Sequence, residues 1–250
     1  MPPPQSFLDD LADAAKNRHP ARIALLALES ESYSWHAEAQ RLAADAIQTL
    51  GQGEPAYAHA ILFTGHMIDA PNRPQPRFPA SAEPAARAAI LSSLQSLLNS
   101  HPGPTIGVAG GASGGDLLFH ESCAELGIET LLRLTLPEPE FLAASVVPAG
   151  GDWVVRFHAL TRRLGPGRIE VLGETKSLPN WMGDRKDYDV WQRTNLWLVE
   201  EAILLAPERT LLALWDGKTG DGPGGTQHLV EAAPRYAISV APPILTGSLW

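Results

Sequence analysis

Four glycines in residues 105–128, TIGVAGGASGGDLLFHESCAELGI, have the spacing of an anion-binding turn. The short apolar run 105–109 predicts a buried strand, and a helix is predicted from about residue 114. Between them we expect positive φ angles and close approach of a ligand to the main chain. The unpaired N–H groups of the first helical turn would point at that ligand, for which phosphate is the natural choice. The glycines are Gly110, Gly111, Gly114 and Gly115.

Asp116 follows these glycines directly, in the first turn of the predicted helix, where its carboxylate can face the mouth of the turn. The glycine spacing matches neither GxGxxG nor GxxxxGK[ST], so neither the dinucleotide fingerprint nor the P-loop applies. A tight turn without any ligand is the structural alternative.

A second glycine turn follows the apolar run 60–64, which predicts another buried strand. Gly65 and His66 begin this turn, and a proline-rich, lid-like loop then carries Arg73 and Arg77. The planar arginine fork suits phosphate because it donates two parallel hydrogen bonds. The alternatives are a solvated loop for the two arginines and a plain turn for His66.

A third turn, the glycine loop 216–225, follows the predicted strand 211–215. Thr226 is predicted to cap a helix that runs to residue 233. The long helix predicted over residues 186–205 carries Asn195 in an apolar stripe. A polar residue there needs partners, so Asn195 is either a satisfied core amide or a group that reaches the ligand.

If the strands are parallel neighbours, all three loops emerge at one edge of the sheet, where open α/β sheets bind ligands. We therefore expect one shared site. The predicted ligand-binding residues are Gly65, His66, Arg73, Arg77, Gly110, Gly111, Ser113, Gly114, Gly115, Asp116, Asn195, Gly224, Gly225 and Thr226.

The composition is that of an ordinary globular protein, with 250 residues, 44% hydrophobic and 19% charged. The formal net charge of -9 argues against nucleic acid as a partner. The single cysteine, Cys123, excludes an intramolecular disulfide and favours a reducing cytoplasm. No apolar run is long enough to span a membrane, and residues 1–7 lack the features of a signal peptide. A homo-oligomer is compatible with this composition.

The alternation of apolar runs and amphipathic segments predicts an α/β fold, a Rossmann-like, mostly parallel sheet of about five to seven strands with helices on both faces. Further strands are predicted over residues 129–136 and 168–172, and the helix 153–164 completes this pattern. We expect two parts, a helical N-terminal appendage at 1–55 and the nucleotide-binding domain at 56–250.

The motifs LFTGHMID, PRFP, GGASGGDLLFHE, GGDWVVRF and LWDGKTGDGPGGTQHLVE occur in one order. Over about residues 57–240 the chain resembles the Rossmann-like domain of the SLOG superfamily, which occurs with tetratricopeptide or cyclase modules in bacterial signalling proteins. The resemblance implies a nucleotide or nucleotide-derived ligand. The resemblance to the LOG phosphoribohydrolases of that superfamily is looser. Their motif PGGxGTxxE has glutamate at the position where this chain has Leu229, and Glu231 lies two residues further on.

Two functions follow as expectations. The first is a ligand sensor in signalling that holds a nucleotide-like ligand and reports it through the N-terminal helices or a protein partner. The second is an enzyme that cleaves the N-glycosidic bond of a nucleotide, for which Asp116, Glu121 or Glu231 could supply the carboxylate. The sensor is the preferred hypothesis because glutamate is absent at position 229. A metal site built from Asp116, His120 and His228 is a weaker alternative, since Asp116 and His120 are one helical turn apart but nothing else has the spacing of metal ligands.

Overall fold

The computed structural model describes residues 1–51, 55–183, 185–219 and 224–250. These residues form an open, seven-stranded sheet with helices on both faces, preceded by three N-terminal helices. Every strand pairing among them is parallel. The predicted Rossmann-like fold class is therefore confirmed.

The order of the strands reverses next to the central strand β1. The strands are β1 (His59–Gly65), β2 (Thr105–Ala109), β3 (Glu129–Leu134), β4 (Ile169–Val171), β5 (Glu208–Trp215), β6 (Ser239–Val240) and β7 (Ile244–Leu245). Their order is β4-β3-β2-β1-β5-β6, and β7 also pairs with β5. The chain thus builds outward from β1 to β4 and then returns to the other side of β1. The reversal lies between β1 and β5, which is where open α/β sheets form ligand crevices.

Two helical layers cover the sheet. The helices are α1 (Gln5–Lys16), α2 (Pro20–Glu29), α3 (His36–Thr49), α4 (Glu83–Ser100), α5 (Gly115–Glu125), α6 (Glu138–Ser145), α7 (Trp153–Leu164), α8 (Val190–Leu205) and α9 (Thr226–Ala232). Ile61 and Phe63 of β1 pack in the core beneath α4 and α5, whereas Ala60 and Leu62 pack in the core beneath α8 and α9. Because successive side chains of a strand alternate between its faces, a strand covered on both sides is apolar throughout.

The N-terminal helices share their core with the rest of the chain. Phe7 and Trp35 pack with Trp181 and Met182, which belong to a 3-10 turn between β4 and α8. Helix α2 also packs along α8. The predicted boundary near residue 55 adjoins residues 52–54, which are outside the described residues, and a division into two domains stays a prediction.

Several elements differ in length from the sequence prediction, and β5 begins at Glu208 and not at residue 211. Helix α8 begins at Val190 and not at residue 186, because Asp189 closes a capping box with Gln192. Strand β3 ends at Leu134, since its pairing with β4 ends where Leu134 meets Val171. In the described parts of the chain, no helix is both long enough and apolar enough to cross a membrane.

Candidate functional site

A cavity of about 800 Å³ opens beyond the carboxyl ends of β1 and β2, where β3 and the chain that follows β5 also line it. Its volume is within the range of small-molecule sites, and its position is the reversal of strand order. The residues of all three predicted loops meet in its wall. The predicted residues that line it are Gly65, His66, Arg73, Arg77, Gly110, Asp116, Asn195, Gly224, Gly225 and Thr226.

Four other predicted ligand-binding residues, Gly111, Ser113, Gly114 and Gly115, are not among the described residues that line the cavity. A Cβ atom on Gly111 would lie 2.9 Å from a methyl carbon of Leu132, so this glycine faces the apolar core. Ser113 is buried, and its N–H donates to the Ser145 carbonyl at 2.9 Å.

Gly114 and Gly115 instead allow the β2 turn to pack against the β1 turn. Gly114 has φ +89°, and a Cβ there would lie 2.5 Å from the Ile68 nitrogen. A Cβ on Gly115 would lie 2.7 Å from the Gly65 Cα, so the two backbones touch. The expected positive φ is therefore observed at Gly114, and it is wrong for the other three glycines of the β2 turn.

Backbone N–H groups in the first turn of α5 donate hydrogen bonds to carbonyl groups of the protein itself. Gly115 N–H donates to the His66 carbonyl at 3.0 Å, and Leu117 N–H donates to the Ala112 carbonyl at 3.3 Å. The expectation that these groups point unpaired at a ligand is wrong for both amides. An anion at this position would have to displace the β1 turn.

Asp216, at the end of β5, joins the lid-like loop to the β1 turn. Arg77 donates to its carboxylate from Nε and Nη2, both at 2.8 Å, and His66 Nε2 lies 3.0 Å from Oδ1. The hydrogen bonds from Arg77 hold the pKa of Asp216 well below its usual range. Asp69 likewise accepts the backbone N–H groups of Arg77 and Phe78, each at 2.8 Å. The rim at Arg77 is therefore fixed by paired charges before any ligand arrives.

Asp116 is a partly buried carboxyl in the wall of the cavity. Its Oδ2 accepts the Ala112 N–H at 3.2 Å, and the Gly65 backbone also donates to it. Burial raises the pKa of Asp116 to about 7, and these two backbone donors oppose the rise only in part. A carboxyl with this pKa can exchange a proton near neutral pH, which makes Asp116 the acid–base candidate of the site.

His120 supports the β2 turn from behind. The Gly110 carbonyl can only accept, so Nε2 carries the proton and donates to it at 2.9 Å, while Nδ1 accepts from the Thr130 hydroxyl at 2.9 Å. Burial lowers the pKa of His120 to about 4, so the ring stays neutral. His120 is thus a hydrogen-bonding residue that positions Gly110.

The amide of Asn195 has hydrogen-bond partners, as the first alternative for this residue expected, and Asn195 also lines the cavity; contact with a ligand stays a prediction. Its Nδ2 donates to the Gly224 carbonyl at 2.8 Å and lies 3.2 Å from His228 Nδ1. Gly224 has φ +77°, and a Cβ there would lie 2.4 Å from Trp191 Cβ. The glycine loop is therefore fixed against α8. Residues 220–223 of that loop, including Pro223 of the PGGT motif, are outside the described residues.

Thr226 lines the cavity as the first residue of α9, and the prediction that it caps this helix is wrong. Gly225 occupies the N-cap position, and no side chain caps the helix. The chain becomes helical one residue earlier than the Thr226 pattern suggested.

Sequence reasoning missed part of the wall. Phe141 of α6 and Trp191 of α8 line it with ring centroids 6.4 Å apart. The apolar stripe of α8 already included Trp191, but periodicity does not distinguish a core aromatic from one that faces a cavity. Other lining residues that were not predicted include the polar and charged residues Thr64, Asp69, Arg133, Thr135, Ser145, Lys176, Asp189, Thr194 and Gln227.

The other two carboxylate candidates are engaged elsewhere. Arg156 donates to both oxygens of Glu121, at 2.8 and 2.6 Å, and the exposed Glu231 accepts from Gln227. Neither is among the described lining residues. Among the described residues no group of three or more metal-ligating side chains occurs, and His120 and His228 bond as given above.

No family model, no curated protein and no solved structure matches the chain.

Proposed function

We propose that this chain binds a nucleotide or nucleotide-derived molecule in the cavity between β1, β2 and β5. The observation that carries the proposal is the position of the cavity, since about 800 Å³ of space opens where the strand order reverses. Its volume suits a ligand of nucleotide size.

The chemistry of the wall supports a nucleotide over a purely apolar ligand. Arg73 and Arg77 provide guanidinium groups at the rim, Phe141 and Trp191 provide aromatic surface, and Asp116 provides a hydrogen-bonding carboxyl. Anionic, aromatic and hydroxylated parts of one molecule would each find a partner. The motif resemblance to the SLOG superfamily points the same way and favours a sensor in signalling.

A second candidate is hydrolysis of the N-glycosidic bond of the bound nucleotide. The specific observation in its favour is Asp116, whose pKa of about 7 suits a general acid or base at neutral pH. Leu229 argues against the mechanism of the LOG enzymes, because it stands where their glutamate would be and is buried in the core.

A thermal-shift screen against nucleoside mono- and diphosphates, cyclic nucleotides and NAD derivatives tests the proposal, because a ligand that binds the native state raises Tm by mass action. Chromatography of the incubated ligands separates the two candidates. Intact ligand supports the sensor, and free base that depends on Asp116 supports the hydrolase. The absence of any saturable shift across these nucleotides contradicts nucleotide binding.

A further inference from the structure

The chemical groups along the wall of the cavity are arranged in the same order as the strands of the sheet. Along the carboxyl edge the strands run β3-β2-β1-β5. Arg77 lies at the β5 end, where it is bonded to Asp216, and Phe141 lies on α6, which follows β3. Asp116 lies between these ends, because it accepts hydrogen bonds from Gly65 at the end of β1 and from Ala112 after β2.

Burial and backbone N–H groups shift the pKa of Asp116, and none of the positive groups of the wall contributes to that shift. Besides Arg73 and Arg77, the wall contains Lys176, on the loop that follows β4, and Arg133 of β3, whose guanidinium is paired with Glu201. A phosphate could therefore occupy either end of the cavity, and Asp116 would contact the middle of the ligand in both orientations. The middle of a nucleotide is its ribose.

The Asp116 carboxylate can accept further hydrogen bonds from a ligand. The bonds described for it come from backbone N–H groups, and the ion pairs found among the described residues do not include it. A Cβ on Gly110 would lie 2.7 Å from its Oδ2, so glycine at position 110 leaves the room that this carboxyl group occupies in the wall of the cavity. An ionised carboxylate accepts only, and a pair of neighbouring hydroxyl groups can donate to it.

We propose that the Asp116 carboxylate accepts hydrogen bonds from the vicinal hydroxyl groups of the ligand's ribose, so that the site takes ribonucleotides in preference to 2′-deoxynucleotides. This inference rests on the proposed function, since it requires a nucleotide in the cavity. Loss of one hydroxyl leaves the partly buried carboxylate with an unmet acceptor, and polar sites discriminate strongly against a ligand that leaves such a group unpaired.

The test is titration calorimetry of the full chain with the four common ribonucleoside 5′-mono- and diphosphates and their 2′-deoxy counterparts. Each is measured on the wild type and on Asp116→Asn, which keeps the shape of the side chain and replaces one acceptor oxygen with a donor. Thermal unfolding of both proteins checks that the variant is folded. If Asp116→Asn is unfolded, Asp116→Glu takes its place.

For at least one base we expect the ribonucleotide to bind about tenfold or more tightly than its deoxy counterpart, from the loss of one hydrogen bond to a charged acceptor. Asp116→Asn should bring the two affinities within about twofold of each other. Equal affinities in the wild type, or a preference that survives in Asp116→Asn, overturn the inference while leaving nucleotide binding intact. If none of the eight ribonucleotides and none of their deoxy counterparts binds, this inference fails, whereas the proposed function fails only if the cyclic nucleotides and NAD derivatives do not bind either.

Discussion

Asp116 is the residue at which stability and ligand chemistry conflict. Its carboxyl is partly buried and hydrogen-bonded to backbone N–H groups, and burial raises its pKa from 3.8 to about 7. The folded state therefore holds the proton more tightly than the unfolded state does. Such a group destabilises the fold as pH rises from about 4 to 7, because ionisation is easier in the unfolded chain.

Replacing Asp116 with asparagine should remove this pH dependence. We expect Asp116→Asn to have a free energy of unfolding that exceeds the wild-type value increasingly from pH 4 to 7, with a constant difference above pH 7. Urea denaturation at several pH values measures it. Asp45→Asn, at an exposed side chain on α3, is the control. A difference between Asp116→Asn and wild type that does not change with pH contradicts the raised pKa.

Ten of the fourteen predicted ligand-binding residues, Asp116 among them, line the cavity, because glycine turns after buried strands are a local signal. The sequence alone does not tell which of the glycines line the cavity. Gly114 and Gly115 allow the β2 turn to pack against the β1 turn. Their contacts there are with Ile68 and Gly65, which are almost 50 positions away in the sequence. Contacts at such separation leave no local pattern.

The turns after β1 and β2 are joined directly through their backbones. Ile68 N–H donates to the Ser113 carbonyl at 3.2 Å, and Gly115 N–H donates to the His66 carbonyl at 3.0 Å. The strands β1, β2 and β5 could be predicted because each is a compact apolar run. The strands β6 and β7 have two residues each and were not recognised individually, since so short a segment has no periodicity.

Gly114→Ala should destabilise the protein more than Gly127→Ala. Both glycines have positive φ, +89° and +71°, but a Cβ at 127 would have no atom within 4 Å, whereas one at 114 would collide with Ile68 N. We expect about 1 to 2 kcal/mol for Gly127→Ala from the left-handed backbone alone. For Gly114→Ala we expect about 1 to 3 kcal/mol more from overpacking. Chemical denaturation measures both variants, and equal losses would contradict the packing role of Gly114.

Helix α8 connects the N-terminal helices to the sheet, because it packs against both. One side of this helix lines the cavity with Trp191 and Asn195, and Arg193 forms a buried ion pair with Glu29 of α2 at 2.9 Å. Tyr188 also donates to Glu29. The sequence predicted the three helices but not this connection, because a buried ion pair between residues 164 positions apart has no local signature.

Breaking this ion pair should reduce the stability of the entire chain. Arg193→Met leaves the Glu29 carboxylate buried without its cation, so we expect a loss of about 3 to 5 kcal/mol. The double variant Glu29→Met, Arg193→Met should recover most of the loss. Arg41→Met, which removes the exposed pair with Glu38, should change stability by less than about 1 kcal/mol. If Arg193→Met changes stability no more than Arg41→Met does, the helices are not joined through this pair.

The central claim is that the cavity between β1, β2 and β5 binds a nucleotide-type ligand. The most direct measurement is titration calorimetry of the nucleotide that gives the largest thermal shift, performed on wild type, Ala144→Trp and Ala143→Trp. Ala144 lines the cavity, whereas its neighbour on α6, Ala143, is exposed outside it, so only the first tryptophan fills the site. We predict one ligand per chain for wild type and Ala143→Trp, and at least about tenfold weaker binding for a folded Ala144→Trp. Equal affinity in all three proteins would contradict the claim.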